Sequence, residues 1–230
     1  MGVVLEKVVP WGRSLDEYRL MFALSHVELQ SKILGCGDGP ASFNAEMHQL
    51  GNKVVSVDPI YSLTKQQIEK RVVETYDTIV AQCKTNYHNF LWTYFTDPDH
   101  LGQRRLAAMK IFLQDFDAGL DEGRYIAESL PLLSFADGEF DLALCSHLLF
   151  LYSEHLSLEF HIDAIRQMCR VAREVRIFPL LDLNCETSCH IAPIIFQLSK
   201  EGYLVTIENV EYEFQRGGNQ MMRVRSGPRC

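Results

Sequence analysis

The chain has 230 residues, 47% of them hydrophobic and 23% charged, with a net charge of −8. These are the proportions of a globular protein large enough to bury a sizeable core, and they exclude a disordered or fibrous chain. The acidic balance argues against sequence-independent binding to nucleic acid, which relies on Lys and Arg neutralising phosphates.

The opening MGVVLEKVVPWGR holds an apolar stretch that is too short and too interrupted for a secretory signal, and no run approaches the length that spans a bilayer. The expectation is a cytoplasmic protein with no membrane partner. Seven cysteines are an odd number, and several lie in apolar runs such as LALC, as buried reduced thiols do. Cys185-x3-Cys189-His190 has no second pair at ligand spacing, so no metal site is expected.

Short apolar runs alternate with amphipathic stretches, which predicts helices around a mainly parallel sheet. Strands are predicted at residues 32–34, 53–57, 124–127, 140–145, 174–181, 203–214 and 220–225. The last two are joined at Gly217-Gly218-Asn219, a connection too short for a helical crossover, and so form an antiparallel hairpin. Arg173, Glu174 and Arg176 read as a solvated helix end leading into a strand.

Between Asp58 and Arg124 lie 65 residues, a helical insertion (59–123) within a single domain of residues 1–230. Ile68, Val72, Tyr76, Ile79 and Cys83 recur at a spacing of three or four, which makes one helix face apolar. Asp97-Pro98 predicts the start of a second helix, continued by Leu106, Met109, Phe112, Leu113 and Phe116. The segment YHNFLWTYF between them carries five aromatics in nine residues. It either lines a substrate pocket or packs the inserted helices together, and packing is the favoured reading.

The stretch KILGCGDGPASF runs from the first strand through Gly35, Cys36, Gly37, Asp38 and Gly39 towards a helix. Glycines at such a turn let the backbone approach a ligand closely. Pro40 suits the first helical position, and Gly51 the end of that helix. The second strand ends in Asp58, 19 residues after Gly39. A strand, glycine loop, helix, strand and acid in that order suit a ribose, whose two hydroxyls the carboxylate accepts. The third small position of a dinucleotide fingerprint is Pro40 here, a poor match for NAD, and the Gly-Lys-Ser/Thr of a phosphate loop is absent.

The G-C-G-D-G form resembles the first motif of class I S-adenosylmethionine-dependent methyltransferases. The resemblance extends to AESLP at 127–131, to FADGEFDLAL leading into the fourth strand, and to WGRSLDEY near the N-terminus, where the family often has a helix capping the cofactor. It covers residues 10–58 and 124–226 and implies a Rossmann-like, seven-stranded, mostly parallel α/β sheet with helices on both faces. It also implies S-adenosylmethionine as cofactor and methyl transfer to an unidentified small-molecule acceptor. Gly35, Cys36, Gly37, Asp38 and Gly39 would receive the methionine end, Asp58 the ribose, and Pro59, Ile60, Ala127 and Glu128 the adenine side. Ser146 would complete the site.

Two positions depart from the family pattern. Ile33 stands two residues before the first loop glycine, and Ile126 precedes Ala127, where members usually carry acids. The alternative reading is therefore a non-catalytic, methyltransferase-like binding or regulatory protein.

His147 ends the fourth strand, where an open α/β sheet presents its ligand crevice, and is the candidate base or substrate contact. Tyr152, His155, His161 and Asp182 fall near the same face, and the adjacent Cys145 has no paired His to activate it.

Overall fold

The computed structural model describes residues 9–227; the apolar N-terminal stretch through residue 8, and Cys230, lie outside them. In chain order the elements are α1 (Leu15–Met21), β1 (Ile33–Cys36), α2 (Phe43–Gln49), β2 (Val54–Val57), α3 (Lys65–Thr85), α4 (Pro98–Asp121), β3 (Tyr125–Ile126), β4 (Phe140–Ser146), α5 (Leu158–Val171), β5 (Ala172–Phe178), α6 (Ile191–Lys200), β6 (Tyr203–Asn209) and β7 (Gln220–Ser226). The seven strands form one sheet in the order β3-β2-β1-β4-β5-β7-β6. Neighbours from β3 to β5 pair in parallel, while β7 runs antiparallel between β5 and β6. This is the Rossmann-like α/β sheet with a C-terminal antiparallel hairpin that the sequence predicts.

Side chains of successive strand residues point to opposite faces, and the two faces bury different helices. Leu34, Cys36, Ala143, Cys145, Val175 and Ile177 pack with Ile165 and Met168 of α5 and Ile194 and Leu198 of α6. Ile33, Val54, Leu142 and Leu144 pack on the other side with Tyr18 and Met21 of α1 and Phe43 and Met47 of α2. Ile33, fully buried in β1, thus belongs to the second core and faces away from solvent. No helix among the described residues is long and apolar enough to cross a membrane.

The second helix of the segment between β2 and β3 starts as the sequence predicts, and the first carries the predicted apolar face. The side chain of Thr64 caps α3, and that of Asp97 accepts the His100 N–H with Pro98 opening α4. Tyr61, Ile68, Val72, Phe112, Phe116 and Tyr125 form a third core that welds α3 and α4 to β3.

Four expectations need correction. The helix after the glycine loop begins at Phe43, with Pro40 still in the loop, because the Pro40 carbonyl backs directly onto Gly12. The fifth strand ends at Phe178, since Pro179 has no N–H to continue a ladder. The sixth stops at Asn209. Residues 210–219 turn away because Val210 and Tyr212 enter the second core, Leu91 N–H donates to the Phe214 carbonyl at 2.8 Å, and Phe90 stacks on Phe214 at 4.6 Å.

Last, Glu174 and Arg176 are buried, not solvated. Arg176 Nε donates to Glu174 at 2.6 Å and Nη1 to the Phe22 carbonyl at 2.6 Å, while Arg223 and Arg225 close on the same carboxylate at 2.6 and 2.5 Å. Cross-strand pairing of β5 with β7 supplies those partners, and single-strand patterning does not foresee them.

Candidate functional site

The connection leaving β1 passes to one side of the sheet order and that leaving β4 to the other. The carboxyl ends of these two neighbours therefore diverge, and a crevice opens between them. A cavity of about 420 Å³ fills that crevice, a size suited to a nucleoside-bearing small molecule. Its walls include Gly37, Asp38 and Gly39 after β1, Asp58, Pro59 and Ile60 after β2, Glu128 after β3, and Ser146 and His147 from the end of β4.

Three glycines build the loop, in two distinct ways. Gly37 (φ +70°) and Gly39 (φ +53°) hold left-handed conformations that cost other residues energy. Gly35 is different: a Cβ there would stand 1.8 Å from the Asp38 carboxylate, so it makes room for that side chain rather than for a ligand. Asp38 folds back into this space and accepts hydrogen bonds from the Tyr18 hydroxyl at 2.7 Å and the Ser56 hydroxyl at 2.6 Å. Burial, with a smaller push from Asp58, raises the Asp38 carboxyl to about 6. Tyr18 in turn stacks on Phe43 at 4.2 Å, so α1 is pinned over the loop by one polar and one aromatic contact.

Asp58 is fixed from both sides. Its Oδ2 accepts the Gly39 N–H at 2.9 Å and its Oδ1 the Ile60 N–H at 2.8 Å, and burial raises its carboxyl. The Tyr61 hydroxyl donates to the Gly39 carbonyl at 2.8 Å, tying the two loops together. The Gly37 N–H is spent on the Val57 carbonyl at 2.8 Å. With both glycine amides engaged, the loop offers a phosphate fewer donors than a cradle of free N–H groups does.

His147 is held with φ +53°, a left-handed conformation uncommon outside glycine, by a 2.6 Å bond from its N–H to the Phe178 carbonyl. Its Nδ1 lies 2.9 Å from the Ser146 hydroxyl. Burial, aided by the charges of Arg13 and Arg105, holds the imidazole well below its ordinary range and therefore neutral.

A second cavity, of about 110 Å³, adjoins the first and shares Val9, Trp11, Arg13 and His147 with it. Phe90 and Phe214 line it, as do Arg105 and Tyr152. The aromatic insertion is thus mostly packing, with Phe95 fully buried, yet Phe90 reaches the cavity wall.

Other sequence candidates sit elsewhere. Cys36 is wholly buried and Ala127 exposed, and neither lines the first cavity; Glu128 does, while accepting from Ser134 N–H at 3.1 Å. Asp182 caps its own turn through the Asn184 and Glu186 N–H groups at 2.8 and 3.0 Å. The ring nitrogens of His161 lie 2.8 and 2.9 Å from the Ser157 and Leu149 carbonyls in the core. Among the described residues no cluster of three or more His, Cys, Asp or Glu could hold a metal.

Sequence reading missed the buried pair Glu17 and Arg105 and the half-buried Arg13 beside it. Arg105 of α4 pairs with Glu17 of α1, 88 residues away, and the Tyr212 hydroxyl donates to the same carboxylate at 2.9 Å. The visible signal was WGRSLDEY itself, whose Ser14 and Glu17 form the capping box of α1.

No profile of a known protein family matches the chain. A protein of Methanocaldococcus jannaschii, the uncharacterized MJ0045, is 34% identical over 222 residues, covering 96% of this chain and 97% of that one. Among solved structures, the magnesium protoporphyrin IX methyltransferase of Synechocystis with bound S-adenosylhomocysteine is 13% identical, with TM-score 0.48 and coverage of 93% of this chain and 82% of that one. A TehB-like S-adenosylmethionine-dependent methyltransferase of Corynebacterium glutamicum is 14% identical, with TM-score 0.47 and coverage of 92% and 86%. The chain belongs to one family with the archaeal protein MJ0045, and its own strand order is that of the class I S-adenosylmethionine-dependent methyltransferase fold.

Proposed function

We propose that the protein is a cytoplasmic S-adenosylmethionine-dependent methyltransferase whose acceptor is a small molecule, working as a single domain with residues 59–123 as its helical insertion. The observation that carries the reading is Asp58. Its carboxylate is held by two backbone N–H groups at the rim of a cavity of about 420 Å³, beside a loop whose glycine amides are already engaged. That chemistry suits sugar hydroxyls and an uncharged loop contact, and it disfavours the diphosphate of a dinucleotide.

The residues present fit this cofactor. Asp58 would accept the ribose hydroxyls, Pro59 and Ile60 would flank the adenine, and Gly37 and Gly39 would give the amino-acid end a close backbone approach. Asp38 offers a carboxylate to an ammonium. When bound, S-adenosylmethionine supplies an electrophilic methyl group on a sulfonium. The protein's part is alignment and exclusion of water, which serve a displacement at carbon. Neutral His147 is shared by both cavities, and in the tautomer whose Nδ1–H donates to Ser146 its Nε2 keeps a lone pair for the proton of a hydroxyl or ammonium acceptor. Its lowered pKa makes it a weak base and favours acceptors that are themselves acidic.

Calorimetric titration with S-adenosylmethionine and S-adenosylhomocysteine tests the reading, with NADH as control. Asp58→Ala should stay folded and lose affinity by roughly ten-fold or more, since hydrogen bonds to a charged group are worth about 1.5–3 kcal/mol each. Unchanged affinity in that variant removes Asp58 from the site and the reading with it. The buried Ile33 and the partly buried Ile126 favour the rival, a non-catalytic binding protein. Absence of adenosyl-ligand binding by a folded, ligand-free sample would favour that rival.

A further inference from the structure

Around the second cavity the charges do not balance. Arg105 is 1% exposed and is neutralised by Glu17, which is 3% exposed. Arg13 has no such partner: no carboxylate pairs with it among the described residues, and its one hydrogen bond runs from Nη1 to the Trp11 carbonyl at 3.0 Å. Its Nε is sealed from solvent without a partner, and so is the Nε of Arg105. One half-buried and one buried guanidinium against one carboxylate leave a net positive charge beside a wall that includes Trp11, Phe90, Phe214 and Leu183. Burial and the charge of Arg105 together push the Arg13 guanidinium down to about 10. A sealed guanidinium nitrogen without a partner is costly, and an anion at the cavity would offset that cost.

The shape of the second cavity adds to this. At about 110 Å³ it is on the scale of the cavities, roughly 150 Å³, that take a benzene-sized group. It meets the first cavity across Arg13 and His147. A guanidinium fork at that junction matches a planar carboxylate, with the apolar body of the ligand lying among the aromatic rings.

We propose that the second cavity is the acceptor site and that it takes a small aromatic or apolar carboxylate, whose anionic group is bound by Arg13 with support from Arg105. This rests on the methyltransferase reading for the word acceptor, while the anion site itself does not. The methionine carboxylate of the cofactor is another source of the same chemistry, and the test separates the two.

The probes are 4-fluorobenzoate and 4-fluorobenzamide, nearly equal in shape and unequal in charge, followed by fluorine NMR on the full chain saturated with S-adenosylhomocysteine. The benzoate should bind and the amide should be roughly ten- to hundred-fold weaker. Arg13→Met should abolish that preference and Arg13→Lys restore part of it. S-adenosylhomocysteine affinity of Arg13→Met should stay within about three-fold of wild type.

Equal binding of benzoate and amide, or binding of neither at millimolar concentration, overturns the proposal even if the Arg13 variants fail to fold. So does a variant that loses S-adenosylhomocysteine, relative to 5′-methylthioadenosine, while keeping the benzoate preference: Arg13 then serves the cofactor. Wild-type protein that binds the benzoate but no adenosyl ligand keeps the anion site and discards the methyltransferase reading.

Discussion

Asp38 is the residue whose removal should strengthen the fold. It is 7% exposed, and the side chain has only two hydroxyl partners, Tyr18 and Ser56, against the desolvation of its charge and the nearby Asp58. Its carboxyl rises from an ordinary 3.8 to about 6 in the fold. A carboxyl whose folded pKa is raised costs nothing below the unfolded value, costs increasingly between 3.8 and 6, and carries its full cost above about 6. That full cost is about 3 kcal/mol, at about 1.4 kcal/mol for each tenfold change in proton affinity.

Asp38→Asn keeps the shape, and both hydroxyls can rotate to meet an amide. The variant should therefore be about 1–3 kcal/mol more stable than wild type at pH 7.5 and nearly equal to it at about pH 3.5. Urea unfolding of both proteins across that range reads the difference directly. A gap that does not change with pH, or a variant less stable than wild type at pH 7.5, refutes the assignment of an ionised, poorly compensated Asp38. In the proposed function an ammonium beside Asp38 would relieve the strain. S-adenosylhomocysteine should then bind wild type more tightly at pH 7.5 than at pH 5, and the variant should not show that dependence.

Two further substitutions probe the contacts that seat the N-terminal segment. In Gly12→Ala the new Cβ would stand 2.0 Å from the Pro40 carbonyl oxygen, which is backbone and has no room to yield. The segment carrying Trp11 and Arg13 should lift from the glycine loop at a cost of about 1–3 kcal/mol, read as a lower Tm; an unchanged Tm contradicts the packing. Arg105→Met strands Glu17 in the core and should cost about 3–5 kcal/mol in denaturant unfolding, much of which Glu17→Gln in the same chain should recover. If the double variant is no more stable than the single one, the pair is not the reason Arg105 matters.

The parts of this protein legible from sequence are those that short-range rules govern. Short apolar runs placed β1, β2 and β4 to within about two residues, Asp97-Pro98 marked the start of α4, and the spacing from Gly39 to Asp58 brought two loops together that do hydrogen-bond at 2.9 Å. What stayed hidden depends on partners distant in the chain. Gly35 looks like a ligand-facing glycine until Asp38 is seen to occupy the space of its missing side chain. Glu174 reads as solvated because the arginines that hold it come from β7, about 50 residues later. Arg13 and Glu17 lie four residues apart in a motif noted for its helix, but only α4 reveals that Glu17 is spent on Arg105 and Arg13 is not.

The division of charge between the two cavities bears on how donor and acceptor would meet. Asp38, Asp58 and Glu128 line the first cavity, with Arg71 exposed at its edge and Arg13 at the wall it shares with the second, while the second is framed by Arg13, Arg105 and the carboxylate of Glu17. A cationic donor and an anionic acceptor would each find the opposite charge in its own chamber and would attract one another across the shared wall. The wall residue best able to spoil that attraction is His147, because an imidazolium there would add a third positive charge beside Arg13 and Arg105. Burial and those same guanidiniums keep it neutral. The neutrality of His147, set first by burial and then by the two guanidiniums, thus suits the charge layout that the proposed reaction would need, and the arginines that would hold the acceptor also help keep the imidazole unprotonated.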